Sequence, residues 1–104
     1  MNILSVDVFL GLPFNIASYA LLQHIFAQLL GLTPRVLVGD LTNVHIYNDH
    51  KEQVKEQLSR NCLELPELIL PEFTNLEELL NLEVKDFKLE GYLSHPAIKA
   101  NMSA

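Results

Sequence analysis

A histidine and a tyrosine stand two residues apart in the stretch Val44-His45-Ile46-Tyr47, where apolar and polar residues alternate. A period of two puts both rings on one face of a strand, roughly 7 Å apart along the backbone. Two hydrogen-bonding tips at fixed separation suit the grip of a hydroxyl, while the plain reading is a half-buried strand with a polar outer side. A second candidate is Asn15, set in the apolar run FLGLPFNIASYALL just after a Leu-Pro-Phe turn. At a helix mouth an asparagine can serve as an N-cap. Its paired donor and acceptor can equally read the edge of a base or amide, which a carboxylate or hydroxyl cannot imitate. Asp7, on the same strand face as Ser5, is either a buried acceptor or a surface charge. His45, Asp49, His50 and Asp40, with the distant His24 and His95, show no metal-ligand spacing of the HExxH kind, so no metal is expected. Cys62 lies in SRNCLELP with Arg60 as its one nearby cation, a poor setting for a nucleophile.

The elements that must position these residues can be read along the chain. Ser5 to Leu10 reads as a strand with Ser5, Asp7 and Phe9 on one side. Gly11-Leu12-Pro13 breaks it, and Pro13 is well placed near a helix start. From Asn15 to Leu30 the polar residues scatter around the helical wheel, which predicts a helix buried on all sides. Gly31 and Pro34 close it. Arg35 to Leu41 and Val44 to Tyr47 read as strands. Asn48 or Asp49 then caps a polar helix through about Arg60, with Val54 and Leu58 as its inward pair. Pro66 to Leu70 is a short strand, and Thr74-Asn75-Leu76-Glu77 has capping-box spacing for a helix over Leu76 to Leu80. Phe87 to Glu90 alternates as a final strand, and the tail from Gly91 has no regular pattern. Together these predict an α+β fold in one domain, or part of one, spanning 1–104: a buried helix on a mixed sheet with smaller peripheral helices.

Bulk composition narrows the partners. A chain of 104 residues buries roughly two thirds of its unfolded surface. Its residues are 49% hydrophobic, with a mean hydropathy of +0.18. A small chain with more apolar residues than it can bury shields the surplus against a partner, the alternative being simply a Leu-rich core. The net charge of −6 leaves no basic footprint for a nucleic-acid polymer or an anionic membrane. The first cation is Arg35, so no secretory leader is expected, and the helix after Pro13 is too polar to span a membrane. One cysteine excludes an intrachain disulfide. The expected location is the cytoplasm.

With the residues laid out, the chain resembles the C-terminal portion of thymidylate synthase. SVDVFLGLPFNIASYALL is similar to that family's strand-turn-helix segment, HIYNDHKEQVKEQLSR to its ribose-site strand and following helix, and GYLSHPAIKA to its C-terminal segment. The resemblance implies a site for dUMP and for 5,10-methylenetetrahydrofolate. It makes Asn15 the reader of the pyrimidine edge, separating uracil from cytosine; related dCMP hydroxymethylases carry an aspartate there. His45 and Tyr47 look like the pair holding the ribose hydroxyl, Ser5 like a phosphate-contacting serine, and Asp7 like the aspartate that meets the folate pterin. Leu10, Gly11 and Phe14 match positions around the two ligands, Gly11 on the nucleotide side and Leu10 and Phe14 on the folate side. Ser103 and Ala104 match the tail that closes over them.

Departures from the pattern bear on activity. The family's nucleophilic cysteine, which attacks C6 of the pyrimidine, belongs to a segment N-terminal to the strand that opens this sequence. Cys62 aligns with a loop position where the family usually has proline. Leu4 stands where the family has an arginine, Asn43 where an aspartate is common, and ANMSA replaces a proline-containing tail. Without nucleophile or phosphate arginines the chain alone is expected to carry no catalytic residue and to make no dTMP. The resemblance therefore implies a C-terminal fragment or truncated homologue acting with a complementary N-terminal segment or with a full-length synthase subunit. The competing expectation is a non-catalytic nucleotide-binding or interaction protein that assembles with itself, and a third is a decayed remnant, against which the intact motifs count.

Overall fold

Two short parallel ladders hold the candidate residues in a computed structural model that describes residues 1–102. Strand β1 (Asn2–Ile3) pairs with β3 (Asp40–Leu41), matching Asn2 to Asp40 and Ile3 to Leu41. Strand β2 (Val6–Asp7) pairs with β4 (Val44–His45), matching Val6 to Val44 and Asp7 to His45. Parallel neighbours need a long crossover, and helix α1 (Leu12–Leu30) lies in that connection. A 3-10 turn over Asn48–His50 leads into helix α2 (Lys51–Ser59). Strand β5 (Glu67–Ile69), helix α3 (Leu76–Leu80), a 3-10 turn at Val84–Asp86 and strand β6 (Lys88–Glu90) complete the order. Ser103 and Ala104, expected to close over the ligands, lie outside the described residues.

The chain forms two compact units. One comprises residues 1–21, 36–61 and the tail from Pro96. Its buried residues are Val6 and His50, both with no exposed surface. The other comprises 22–35 and 62–95, with Ala27 and Phe73 buried. In this second unit β5 and β6 pair antiparallel, Leu68 opposite Leu89. The Gln28 amide donates to the Pro71 carbonyl at 2.8 Å. Gly31, at φ 69°, ends α1 in the left-handed conformation that glycine tolerates without steric cost.

Several sequence expectations need correction. The strand read over Ser5 to Leu10 is confined to Val6–Asp7. Leu4 and Ser5 form a bend, and beyond Val8 the chain turns because Asp7 accepts from the Gly11 amide at 3.0 Å through its carbonyl and from the Leu10 amide at 3.3 Å through its carboxylate. The strands read over Arg35 to Leu41 and Val44 to Tyr47 shrink to two residues each. α1 starts at Leu12, so Asn15 is its fourth residue, donating its backbone N–H to the Gly11 carbonyl at 3.0 Å. It is not the N-cap. The N-cap position of α2 is occupied by His50, not by Asn48 or Asp49. Of the predicted inward pair, Val54 is half-buried but Leu58 is 80% exposed.

The largest correction concerns the buried helix. A helix apolar on every side needs protein on every side, and Ala27 is the one buried residue of α1. Phe14, Phe26 and Leu30 are exposed, as are Val36 and Val38. Among the described residues the strands form three two-stranded ladders, two parallel and one antiparallel, where one mixed sheet was expected. The chain exposes 8426 Å², about half of the surface of an unfolded chain of its mass. Burial therefore falls short of the two thirds expected. Among the described residues no helix is long and apolar enough to cross a membrane.

Candidate functional site

Asp7 organises the strand-to-helix turn from within. Its backbone and side chain each hold an amide of the turn, at Gly11 and Leu10 respectively. The turn must be tight here: a Cβ at Gly11 would lie 3.1 Å from the Asp7 carbonyl oxygen and 3.8 Å from Asn15 Nδ2. Asp7, Leu10, Gly11 and Asn15 thus share one turn, with the Asn15 side chain rising from the first coil of α1.

The second wall comes from β4. Register places His45 beside Asp7, and the Val8 amide donates to the His45 carbonyl at 2.9 Å. The rings of His45 and Tyr47 stack with centroids 6.1 Å apart and planes 14° from parallel. The shared face expected from their spacing is therefore formed, although Tyr47 lies past the end of the ladder. Both side chains are half-buried, whereas Val44 and Ile46 between them are half-exposed. The polar pair faces inward and the apolar pair outward, the reverse of an ordinary half-buried strand.

His50 is the residue that spacing alone did not single out except as an unlikely metal ligand. It is wholly buried. Tyr47 meets it edge-on at 5.7 Å, and Phe9 lies tilted at 5.5 Å. Its Nε2 is 2.6 Å from the Asn101 carbonyl oxygen, and its Nδ1 is 3.9 Å from Asp7 Oδ1. The available signal was its position five residues after His45, at the break between strand and helix, where a ring turns inward instead of capping. Among the described residues no group of three or more His, Cys, Asp or Glu side chains could hold a metal ion.

The structure thus brings Asp7, Leu10, Gly11, Asn15, His45 and Tyr47 into one neighbourhood. Ser5 lies in the exposed bend just before β2, and Phe14 is 74% exposed on the first turn of α1. Ser103 lies outside the described residues. The arrangement offers hydrogen bonds of every type: a carboxylate acceptor, an amide with both donor and acceptor, an imidazole and a phenol. Cys62, the one cysteine of the chain, is exposed.

The family model for thymidylate synthase matches residues 1–104, and the chain belongs to the thymidylate synthase family. It is 59% identical over 102 residues to a probable thymidylate synthase of Escherichia phage T5, covering 96% of this chain and 37% of that protein. It is 52% identical over 99 residues to the thymidylate synthase of Corynebacterium aurimucosum, covering 95% and 36%. The crystal structure of thymidylate synthase from T4 phage superposes with a TM-score of 0.88 at 46% identity, over 99% of this chain and 40% of that one. The chain spans about a third of the length of the relatives it matches.

Proposed function

We propose that this chain is the nucleotide- and folate-recognising C-terminal part of a thymidylate synthase that works as an assembly, in which another chain supplies the nucleophilic cysteine and the phosphate-binding arginines. The observation that carries this reading is surface area. A folded monomer of 11.8 kDa exposes about 5900 Å², whereas this chain exposes 8426 Å². The excess, about 2500 Å², is of the size that one partner contributes to an obligate interface. It carries many exposed leucines and valines, and the buried core of an interface is more apolar than the rest of a protein surface.

Within that assembly Asn15 reads the pyrimidine edge of dUMP, its N–H and C=O matching the O4 and N3–H of uracil. His45 and Tyr47 hold the ribose hydroxyl from their shared face, Gly11 lets the backbone approach the base, and Ser5 meets the phosphate. Asp7, with Leu10, Phe14 and Ser103, serves the folate. The residues present fit a pterin. Among the described residues the Leu10 amide is the one hydrogen-bond donor to the Asp7 carboxylate, and a carboxylate accepts several. Bound there, 5,10-methylenetetrahydrofolate would supply the one-carbon unit and the reducing equivalents that convert dUMP to dTMP. Covalent attack on the pyrimidine requires a thiolate, which the partner provides. The assembly is cytoplasmic in this reading.

Titration with dUMP tests it, on the chain alone and on the chain mixed with a cysteine-bearing N-terminal synthase segment. We expect weak or no binding alone and saturable binding in the mixture, with Asn15→Asp shifting preference from dUMP to dCMP. A stable homo-oligomer that ignores the segment would replace this reading with a self-assembling interaction protein. Binding in the mixture without dTMP formation would limit the chain to nucleotide recognition.

A further inference from the structure

We propose that His50 is a positioning residue that ties the carboxyl-terminal segment to the two walls of the ligand site. The ring is wholly buried, and its neighbours come from three separate parts of the chain: Asp7 and Phe9 from β2 and its turn, Tyr47 from the end of β4, and Asn101 from the tail. A carbonyl oxygen only accepts, so at 2.6 Å the His50 Nε2 is the donor to Asn101. Asp49 Oδ1, the other charged group near Nε2, lies 3.9 Å away. Nδ1 is buried without a hydrogen-bond partner among the described residues, 3.9 Å from Asp7 Oδ1. A buried nitrogen in that state is uncommon in folded proteins. It makes the ring sensitive to any movement of Asp7.

The tail is held by more than one such bond. Gln53 Nε2 donates to the Lys99 carbonyl at 3.3 Å, and Arg60 Nη1 donates to the Pro96 carbonyl at 2.6 Å. Residues 50, 53 and 60 fall within one face at 100° per residue. Each of these three contacts goes to a backbone carbonyl of the tail. Of the three donors, His50 alone also touches residues of the proposed site. Movement of the tail is thereby felt at Asp7 and Tyr47 through one ring.

This inference rests on the ligand roles given above for Asp7 and Tyr47, but its test needs no ligand. A buried imidazole N–H that donates to a carbonyl gives a resolved proton resonance in slow exchange with water. On the full chain, alone and in the mixture with the N-terminal segment, that resonance is expected for His50 Nε2–H. Ending the chain after Ala100 should abolish it and shift the Asp7 and Tyr47 signals while those of α2 stay in place. Trypsin cleavage after Lys99 should accelerate roughly tenfold in His50→Leu, the effect of one lost hydrogen bond. It should return close to the parent rate in His50→Gln, whose amide can still donate to Asn101. In His50→Leu the Asp7 and Tyr47 signals should no longer respond to truncation. A truncation that leaves both signals unmoved, or a His50→Leu chain cleaved at the parent rate with α2 folded, overturns the proposal. Failure of ligand binding with these results intact would instead count against the recognition roles.

Discussion

Asp7 and His45 are direct partners on one rung of the β2–β4 ladder. The side chain proposed for the folate and one proposed for the nucleotide are thus set by a ladder only two residues long on each strand. So short a pairing is weak by itself. It is extended by the Val8 amide on the His45 carbonyl at 2.9 Å and the Val6 amide on the Asn43 carbonyl at 3.2 Å, and anchored by the buried Val6.

Asn43 is the residue that lets β4 enter this register. It has φ 57°, in the left-handed region that asparagine tolerates better than other non-glycine residues. Asn43→Asp should keep the fold within about 0.5 kcal/mol. A β-branched residue has no such tolerance, so Asn43→Val should cost about 1–2 kcal/mol. Urea denaturation of the two variants checks the difference, and equal midpoints would show that the conformation at this position is not limiting.

Gly11 makes a separate demand. Its missing Cβ would come 3.1 Å from the Asp7 carbonyl oxygen, an atom already engaged by the Gly11 amide and unable to withdraw without opening the turn. Gly11→Ala should therefore destabilise by about 1 kcal/mol, at the lower end of overpacking costs. It should weaken dUMP binding in the assembly further, because Asp7 and Asn15 flank the added methyl. Parallel thermal and dUMP titrations separate the two effects, and unaltered stability would mean the turn has room to give.

How much of this was legible in the sequence depends on where each residue's neighbours lie. α3 was read from local chemistry and stands at Leu76–Leu80, with one shift: Asn75, not Thr74, accepts from the Glu78 amide at 2.8 Å. Strand β6 was likewise visible in the alternation of Phe87 to Glu90, and β5 lies within the short strand read over Pro66 to Leu70. The His45–Tyr47 face followed from a period of two, which the backbone obeys even past the ladder. Asn15 as a helix cap was wrong because the turn set by Asp7 starts the helix earlier, at Leu12. His50 was opaque because its partners, Asp7 and Asn101, lie 43 residues before it and 51 after it. No local pattern reports such a meeting. The buried helix was misread for another reason: the all-round apolar pattern describes a surface that this chain by itself leaves open.

Tyr47 separates ring from hydroxyl. Its ring stacks on His45 and meets His50 edge-on. Tyr47→Phe keeps both contacts and should leave stability within about 0.5 kcal/mol. In the assembled protein it should weaken dUMP binding about tenfold, the loss of one hydrogen bond to the ribose. Tyr47→Leu should lower stability as well, by removing aromatic pairs worth about 0.5–1.5 kcal/mol each. Calorimetric titration beside denaturation of both variants decides the matter; a Phe variant with unchanged affinity would remove the phenol from the nucleotide site.

Leu30 tests whether the open apolar surface is a binding surface. It ends α1 and is 65% exposed, so in the isolated chain a lysine there loses little packing. A cation in the last turn of a helix also interacts favourably with the helix dipole, by about 0.3–1 kcal/mol. Leu30→Lys should thus leave the isolated chain as stable as before, or slightly more so, and more soluble. Covered by a partner, the same ammonium group must leave water without a compensating charge, at a cost of several kcal/mol. Association with the N-terminal synthase segment should fall by about 100-fold or more, a loss of about 2.7 kcal/mol by the usual conversion. Ala27→Lys is the contrast: Ala27 is already buried within the chain, so that variant should unfold its own unit before any partner is added. Sedimentation of each variant with and without the segment reads both outcomes. A Leu30→Lys chain that assembles at parent affinity would show that this end of α1 stays open in the complex, and would move the interface elsewhere on the exposed apolar surface.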